Sequence, residues 1–185
     1  MNDRRIEGFS YPVRVGHVSS NPVTVRISAS DAERTALARI WGVTAVGELE
    51  AEIVLTPWKR DGVRARGEVR GRVTQPSVVS LEPVESIIDA PVDAVFVPDG
   101  SRLSRVERTD TGEVIVDPEG PDMPETFSGD TLDVGAVVAE FAALSIDPYP
   151  RLPDEVFEAD DGAGDEAFER PSPFASLKDW RGGKE

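Results

Sequence analysis

Between Val46 and Thr74 polar and apolar residues alternate with period two. Leu49, Ala51, Ile53 and Leu55 fall on one parity, and Glu48, Glu50 and Glu52 on the other. Beyond Asp61-Gly62 the alternation resumes. Val63, Ala65, Gly67, Val69, Gly71 and Val73 take the odd positions, and Arg64, Arg66, Arg70 and Arg72 the even ones. Successive side chains of a strand point to opposite faces, so these runs predict two strands, each with an apolar face and a charged one. Asp-Gly between them marks a hairpin. A two-residue turn would set Ile53 against Arg70 and mix the faces. A three-residue loop, Arg60-Asp61-Gly62, with Gly62 left-handed in a G1 bulge, keeps them apart. In that register Ile53 opposes Val69, Glu52 opposes Arg70, Glu50 opposes Arg72 and Trp58 opposes Arg64.

The flanking pattern predicts shorter elements. Phe9 to His17 opens with a short extended run, Val13-Arg14-Val15, and His17 is placed in that N-terminal strand. Val23, Val25 and Ile27 face inward from a second strand, with Thr24 and Arg26 outward. Ser30 and Glu33 have capping-box spacing, so a helix starts there, buries Leu37, Ile40 and Trp41, and ends at Gly42. Pro76 interrupts the second hairpin strand, and Val78 to Leu81 resumes as a short one. Glu85 to Val97 is a further strand, limited by Pro91, with Ile87, Val95 and Val97 on one parity. Residues 98–129 are rich in turn formers and read as a surface insert with one strand at Val114-Ile115-Val116. Asp130 is the expected cap of a helix reaching about Asp147, buried through Val134, Val137, Val138, Phe141 and Leu144, and stopped by Pro148. Together these predict an α+β domain over residues 6–151. Its centre is a bent antiparallel sheet, or a partly closed β-barrel, with two packed helices. Residues 152–185 read as a disordered acidic tail, mobile over 154–171.

Charge refines this picture. The chain of 185 residues carries net charge −15. Residues 1–83 hold 12 basic and 10 acidic residues, net +2, and residues 84–185 hold 8 and 25, net −17. The hairpin half can approach nucleic acid, and the other half would repel it but could hold a basic protein. On the hairpin, Arg70 and Arg72 have a bland reading as partners of Glu52 and Glu50. Arg60, Arg64 and Arg66, at the tip, have no evident acidic partner and lie beside Trp58, on which a base or an arginine could stack.

Catalytic and metal chemistry find little support. With no cysteine and one histidine, thiolate chemistry and Cys/His metal sets are excluded, and His17 reads as a surface or packing residue. The acidic run 160–166 lacks the alternating ligands of a calcium loop, and there is no glycine-rich phosphate loop. No cofactor is expected. Neither a membrane span nor a secretory signal is seen, so the expected location is cytoplasmic.

Three blocks carry a resemblance. They are Gln75-Pro76-Ser77-Val78-Val79-Ser80-Leu81-Glu82-Pro83-Val84; Asp133-Val134-Gly135 followed by Glu140 to Pro153; and Pro173-Phe174-Ala175-Ser176-Leu177. In this order and spacing they resemble the YceD family, the large ribosomal RNA subunit accumulation proteins. The resemblance implies a non-enzymatic ribosome-biogenesis role, with large-subunit ribosomal RNA or a basic large-subunit ribosomal protein as partner. A chaperone for such a protein is the alternative, and an enzyme using carboxylates in a barrel pocket is a more distant rival. Ser77 stands where the family usually has Cys and reads as a small buried packing residue. Glu82 is either a cap of backbone donors at a strand end or a partner contact. Tyr149 either packs on the sheet or binds. Arg151 and Phe174 complete the candidates, with Phe174 and Leu177 expected to dock on the sheet or on a partner.

Overall fold

The apolar faces read from the alternation meet as the inner side of a five-stranded sheet. The computed structural model describes residues 8–18, 21–104 and 123–155. Its elements run β1 (Pro12–Arg14), α1 (Val15–Val18), β2 (Val23–Ser28), α2 (Asp31–Trp41), β3 (Ala45–Trp58), β4 (Gly62–Pro76), β5 (Pro83–Pro98), a 3-10 turn at Arg102–Ser104, β6 (Glu125–Phe127), β7 (Thr131–Asp133) and α3 (Val134–Leu144). The sheet order is β2-β3-β4-β5-β6, and β1 and β7 form a separate two-stranded ribbon. Among the described residues the sheet is open at both edges and is no closed barrel. Nor is it wholly antiparallel, because β6 joins β5 in parallel. Val114 to Val116, the acidic run and Phe174 lie outside the described residues.

The hairpin keeps the expected faces but not the expected register. Its loop is three residues long, yet it comprises Lys59, Arg60 and Asp61, with Trp58 opposite Gly62. Lys59, not Gly62, adopts positive φ, at 51°. Ile53 therefore opposes Gly67 rather than Val69. Side-chain size explains the two-residue slip. In the observed register Leu49 faces Gly71, Ala51 faces Val69, Ile53 faces Gly67 and Leu55 faces Ala65, so each large residue meets a small one. The expected register would have set Ile53 on Val69 and left Ala51 against Gly71, crowding one site and leaving a gap at the other. Gly67 is required, since a Cβ there would stand 1.9 Å from the Glu52 carbonyl oxygen.

β5 runs through Pro91 without a break, and pairs with β4 from Pro83 to Phe96. Among the described residues β6 bonds it only at Phe96–Pro98, so at Pro91 its second side has no ladder for the missing N–H to disrupt. Its inner residues are Val84, Ile88, Ala90, Val92 and Phe96, set by pairing with the inner face of β4. Of the parity that holds Ile87, Val95 and Val97, Ile87 projects outward and Val97 is buried. The segment Val78–Leu81 is not a strand but the loop joining β4 to β5.

Both long helices cover the apolar face, α2 against β3 and α3 against β4 and β5. The core joins Val25, Ile27, Leu49, Ile53, Leu55, Val69 and Ile88 to Leu37 of α2 and Val134, Val138 and Ala142 of α3. In α2, Gly42 closes the helix at φ 67° as expected, but Ile40 is exposed. α3 is capped by Asp133, not Asp130, and ends at Leu144. The Asp133 carboxylate accepts from Ala136 N–H, Tyr11 N–H and the Ser10 hydroxyl, whereas the Asp130 carbonyl serves Val15 N–H. Leu144, at the helix end, is exposed. His17 lies exposed in α1 rather than in a strand.

The Ser30 box is formed: the Glu33 carboxylate accepts the Ser30 backbone N–H at 2.8 Å and its hydroxyl at 2.7 Å. Those bonds hold the Glu33 carboxyl below the usual carboxylate range. Ser30→Ala is expected to cost about 1 kcal/mol in a denaturant titration. Because the folded pKa is depressed, the contribution of Glu33 is complete at neutral pH. It disappears as pH falls through the depressed value.

Candidate interaction surfaces at the two ends of β4

β4 spans fifteen residues, so its ends lie up to about 45 Å apart along the strand. The structure divides the candidate residues between those ends. Trp58, Arg60, Arg64 and Arg66 are at the hairpin tip. Glu82, Tyr149 and Arg151 are at the opposite end, where β4 turns into β5.

At the tip, the expected free arginines are largely engaged. Arg64 forms a two-pronged pair with Asp93, Nε and Nη2 each 2.7 Å from a carboxylate oxygen, and Arg66 Nε adds a contact at 3.3 Å. Hydrogen bonding to Arg64 holds the Asp93 carboxyl below its ordinary value, and Arg64 is raised in return. Asp93 belongs to β5, the neighbour on the other side of β4 from β3. Arg60 is exposed, with no hydrogen bond or ion pair among the described residues. Trp58 is half-buried, and Lys59 Nζ already covers its ring at 4.3 Å from the centroid.

The remaining arginines also choose other partners. Arg70 pairs with Glu68 at 2.6 Å and reaches Asp89 at 3.9 Å, and Arg72 lies between Glu48 at 3.4 Å and Glu85 at 3.2 Å. Glu52, expected opposite Arg70, binds Arg26 at 2.8 Å. Glu50 faces Arg70 across the ladder, yet no ion pair joins them. The arginine row of β4 is thus paired with carboxylates on β3, on β5 and on β4 itself. Asp93→Asn is expected to free Arg64 and Arg66, making any binding to ribosomal RNA steeper in salt by about one to two units. Binding isotherms across a salt series would show it, and stability should change by less than about 1 kcal/mol.

The charged face also holds an open concavity of 850 Å³, lined among others by Arg26, Glu50, Glu52, Glu68, Arg70 and Pro91. Its Glu52 is held below the usual carboxylate range by the Arg26 hydrogen bond. That suits a standing ion pair better than a proton donor at neutral pH. Among the described residues no group of three or more His, Asp or Glu could hold a metal ion.

At the other end of β4, Ser77 organises the loop. It is fully buried, as a small packing residue was expected to be, but it also bonds. Its N–H donates to the Glu82 carbonyl at 2.7 Å, and its own carbonyl accepts from Leu81 N–H at 3.1 Å. Its Oγ accepts from Val79 N–H at 3.0 Å and Ser80 N–H at 3.3 Å. The role expected of the Glu82 side chain falls to the Ser77 hydroxyl and the Glu82 carbonyl, and the Glu82 carboxylate is left exposed. Segment 147–151 docks alongside. Val78 N–H donates to the Pro150 carbonyl at 2.9 Å, and Gln75 Nε2 to the Asp147 carbonyl at 3.1 Å. Asp147 Oδ1 in turn accepts from Tyr149 N–H at 2.8 Å.

This arrangement leaves apolar side chains outside. Leu81 is 75% exposed, Tyr149 73% and Val78 52%. Tyr149 does not pack on the sheet, because Pro150 turns inward in its place. Leu81 has a left-handed backbone, φ 66°. Sequence reasoning missed Leu81 and Val78 as surface residues. No residue type at 78–81 signals positive φ, and the three apolar residues there, Val78, Val79 and Leu81, read as strand.

A model of the family described as large ribosomal RNA subunit accumulation protein YceD matches residues 65–180. The match covers well over half of the chain, which therefore belongs to that family. The matched stretch holds Gln75 to Val84 and Asp147 to Arg151, and begins beyond Trp58, Arg60 and Arg64. No curated protein and no solved structure matches the chain. No helix among the described residues is long and apolar enough to cross a membrane.

Proposed function

We propose that this chain supports accumulation of large-subunit ribosomal RNA in the cytoplasm as a non-catalytic binding factor. Its direct contact is a basic large-subunit ribosomal protein, made at the β4–β5 end. The observation that carries this reading is the division of β4: near its tip Arg64 and Arg66 share the Asp93 carboxylate, while its other end displays Val78, Leu81 and Tyr149 on hydrogen-bonded backbone. A net charge of −15 opposes RNA and attracts a basic protein. The acidic residues 152–185, with Phe174 among them, supply further attraction and a second apolar contact.

The test is purification of the tagged full chain from growing cells, with and without ribonuclease. A basic large-subunit protein is expected to remain after digestion. Recovery of ribosomal components that ribonuclease abolishes would overturn the protein reading in favour of RNA.

A further inference from the structure

We infer that Leu81 is a preformed anchor for an apolar pocket with a cationic rim on the partner protein, an inference that rests on the protein-partner reading above. A side chain with a Cβ disfavours left-handed backbone, and here φ is 66°. Side-chain packing among the described residues does not compensate, because the side chain is 75% exposed. Leu81 thus carries two unfavourable features at once, strained backbone and a hydrated aliphatic side chain. Strain held in place by its surroundings marks residues whose conformation serves a contact.

The surroundings do hold it. Leu81 N–H donates to the Ser77 carbonyl, and the Ser77 Oγ accepts from Val79 and Ser80. Val78 N–H is fastened to Pro150. A side chain fixed before contact loses little conformational freedom on binding.

The rim supplies the partner's chemistry. Val78 and Tyr149 extend the apolar patch, and the exposed carboxylates of Glu82 and Asp147 stand beside it with one exposed cation, Arg151. Carboxylates repel a phosphate backbone, and an aliphatic residue offers no stacking plane to a base. A protein pocket edged by lysine or arginine satisfies both the leucine and its rim.

The test uses the full chain and, as probe, the protein fraction extracted from purified large ribosomal subunits. Leu81→Gly removes the anchor and also relieves the backbone, so it should unfold at the same or a higher denaturant concentration than the parent. It should nevertheless bind at least about tenfold more weakly. Leu81→Met keeps an apolar side chain of similar volume and should bind within about threefold of the parent. If Leu81→Gly binds a basic large-subunit protein as tightly as the parent, or Leu81→Met loses as much as Leu81→Gly, the anchor is wrong and the protein-partner reading stands. If the chain binds no protein of that fraction but binds naked ribosomal RNA, the anchor falls together with that reading.

Discussion

Gly67→Ala is expected to destabilise the fold by about 3 kcal/mol or more, among the largest effects of a single added methyl group. Its Cβ would stand 1.9 Å from the Glu52 carbonyl oxygen and 3.0 Å from Ile53 Cα. Both are backbone atoms of the neighbouring strand, so no side chain can swing aside. Relief requires β3 and β4 to part at the centre of the sheet, where Ile53 is fully buried. Gly16→Ala is the matched control, because a Cβ there meets nothing within 4 Å among the described residues. It should be neutral or slightly stabilising. Denaturant midpoints of the two variants and the parent decide the matter, and equal midpoints for Gly67→Ala and the parent would refute the close approach.

Ser77→Val should cost about 2–4 kcal/mol. The site is fully buried, so a methyl in place of the hydroxyl and a second one beside it overpack it. The same change removes the hydroxyl that accepts from Val79 and Ser80, leaving partly buried donors without a partner. Ser77→Cys keeps the size and a weak acceptor, and should cost less than about 1 kcal/mol. A Ser77→Val protein at low temperature, still folded, should lose amide protection chiefly across 77–82. That would show that Ser77 holds the loop carrying Leu81. Uniform loss over the whole sheet would show a packing role alone.

What the sequence revealed follows from what periodicity can and cannot encode. Period two located β2, β3 and β4 and assigned their faces, because burial of one face is a strong constraint on each strand. It could not choose between registers two residues apart, since both keep the faces. The deciding signal was there in the size complementarity of Leu49, Ile53 and Leu55 with Gly71, Gly67 and Ala65. The partners of the arginines were missed because β4 has two neighbours. Pairing Arg70 and Arg72 with β3 alone overlooked Glu85, Asp89 and Asp93, which share the odd parity of β5 with Ile87 and Val95. That parity was read as apolar from Ile87, Val95 and Val97, of which Val97 is buried. Capping signals in α2 were legible because Ser30, Glu33 and Gly42 act locally. Asp133 was overlooked as the α3 cap since two of its three donors, Ser10 and Tyr11, lie more than a hundred residues away in the chain. Of the two readings of Tyr149, packing on the sheet fails because the Asp147 turn directs Pro150 inward instead. The two internal blocks that carried the family resemblance, 75–84 and 140–153, meet through Gln75–Asp147 and Val78–Pro150 bonds. No spacing along the chain announces that contact.

The central claim, that function resides at the β4–β5 end and not at the hairpin tip, is tested most directly in cells. Cells should be prepared whose only copy of the chain carries either Leu81→Gly with Tyr149→Ser, or Arg60→Ser with Arg64→Ser and Arg66→Ser. The measurement is the ratio of large- to small-subunit ribosomal RNA at equal levels of folded protein. The ratio should fall to that of cells lacking the chain in the first case and stay at the parental value in the second. A parental ratio in the first case, with a fall in the second, would contradict the account and return the function to the arginine tip.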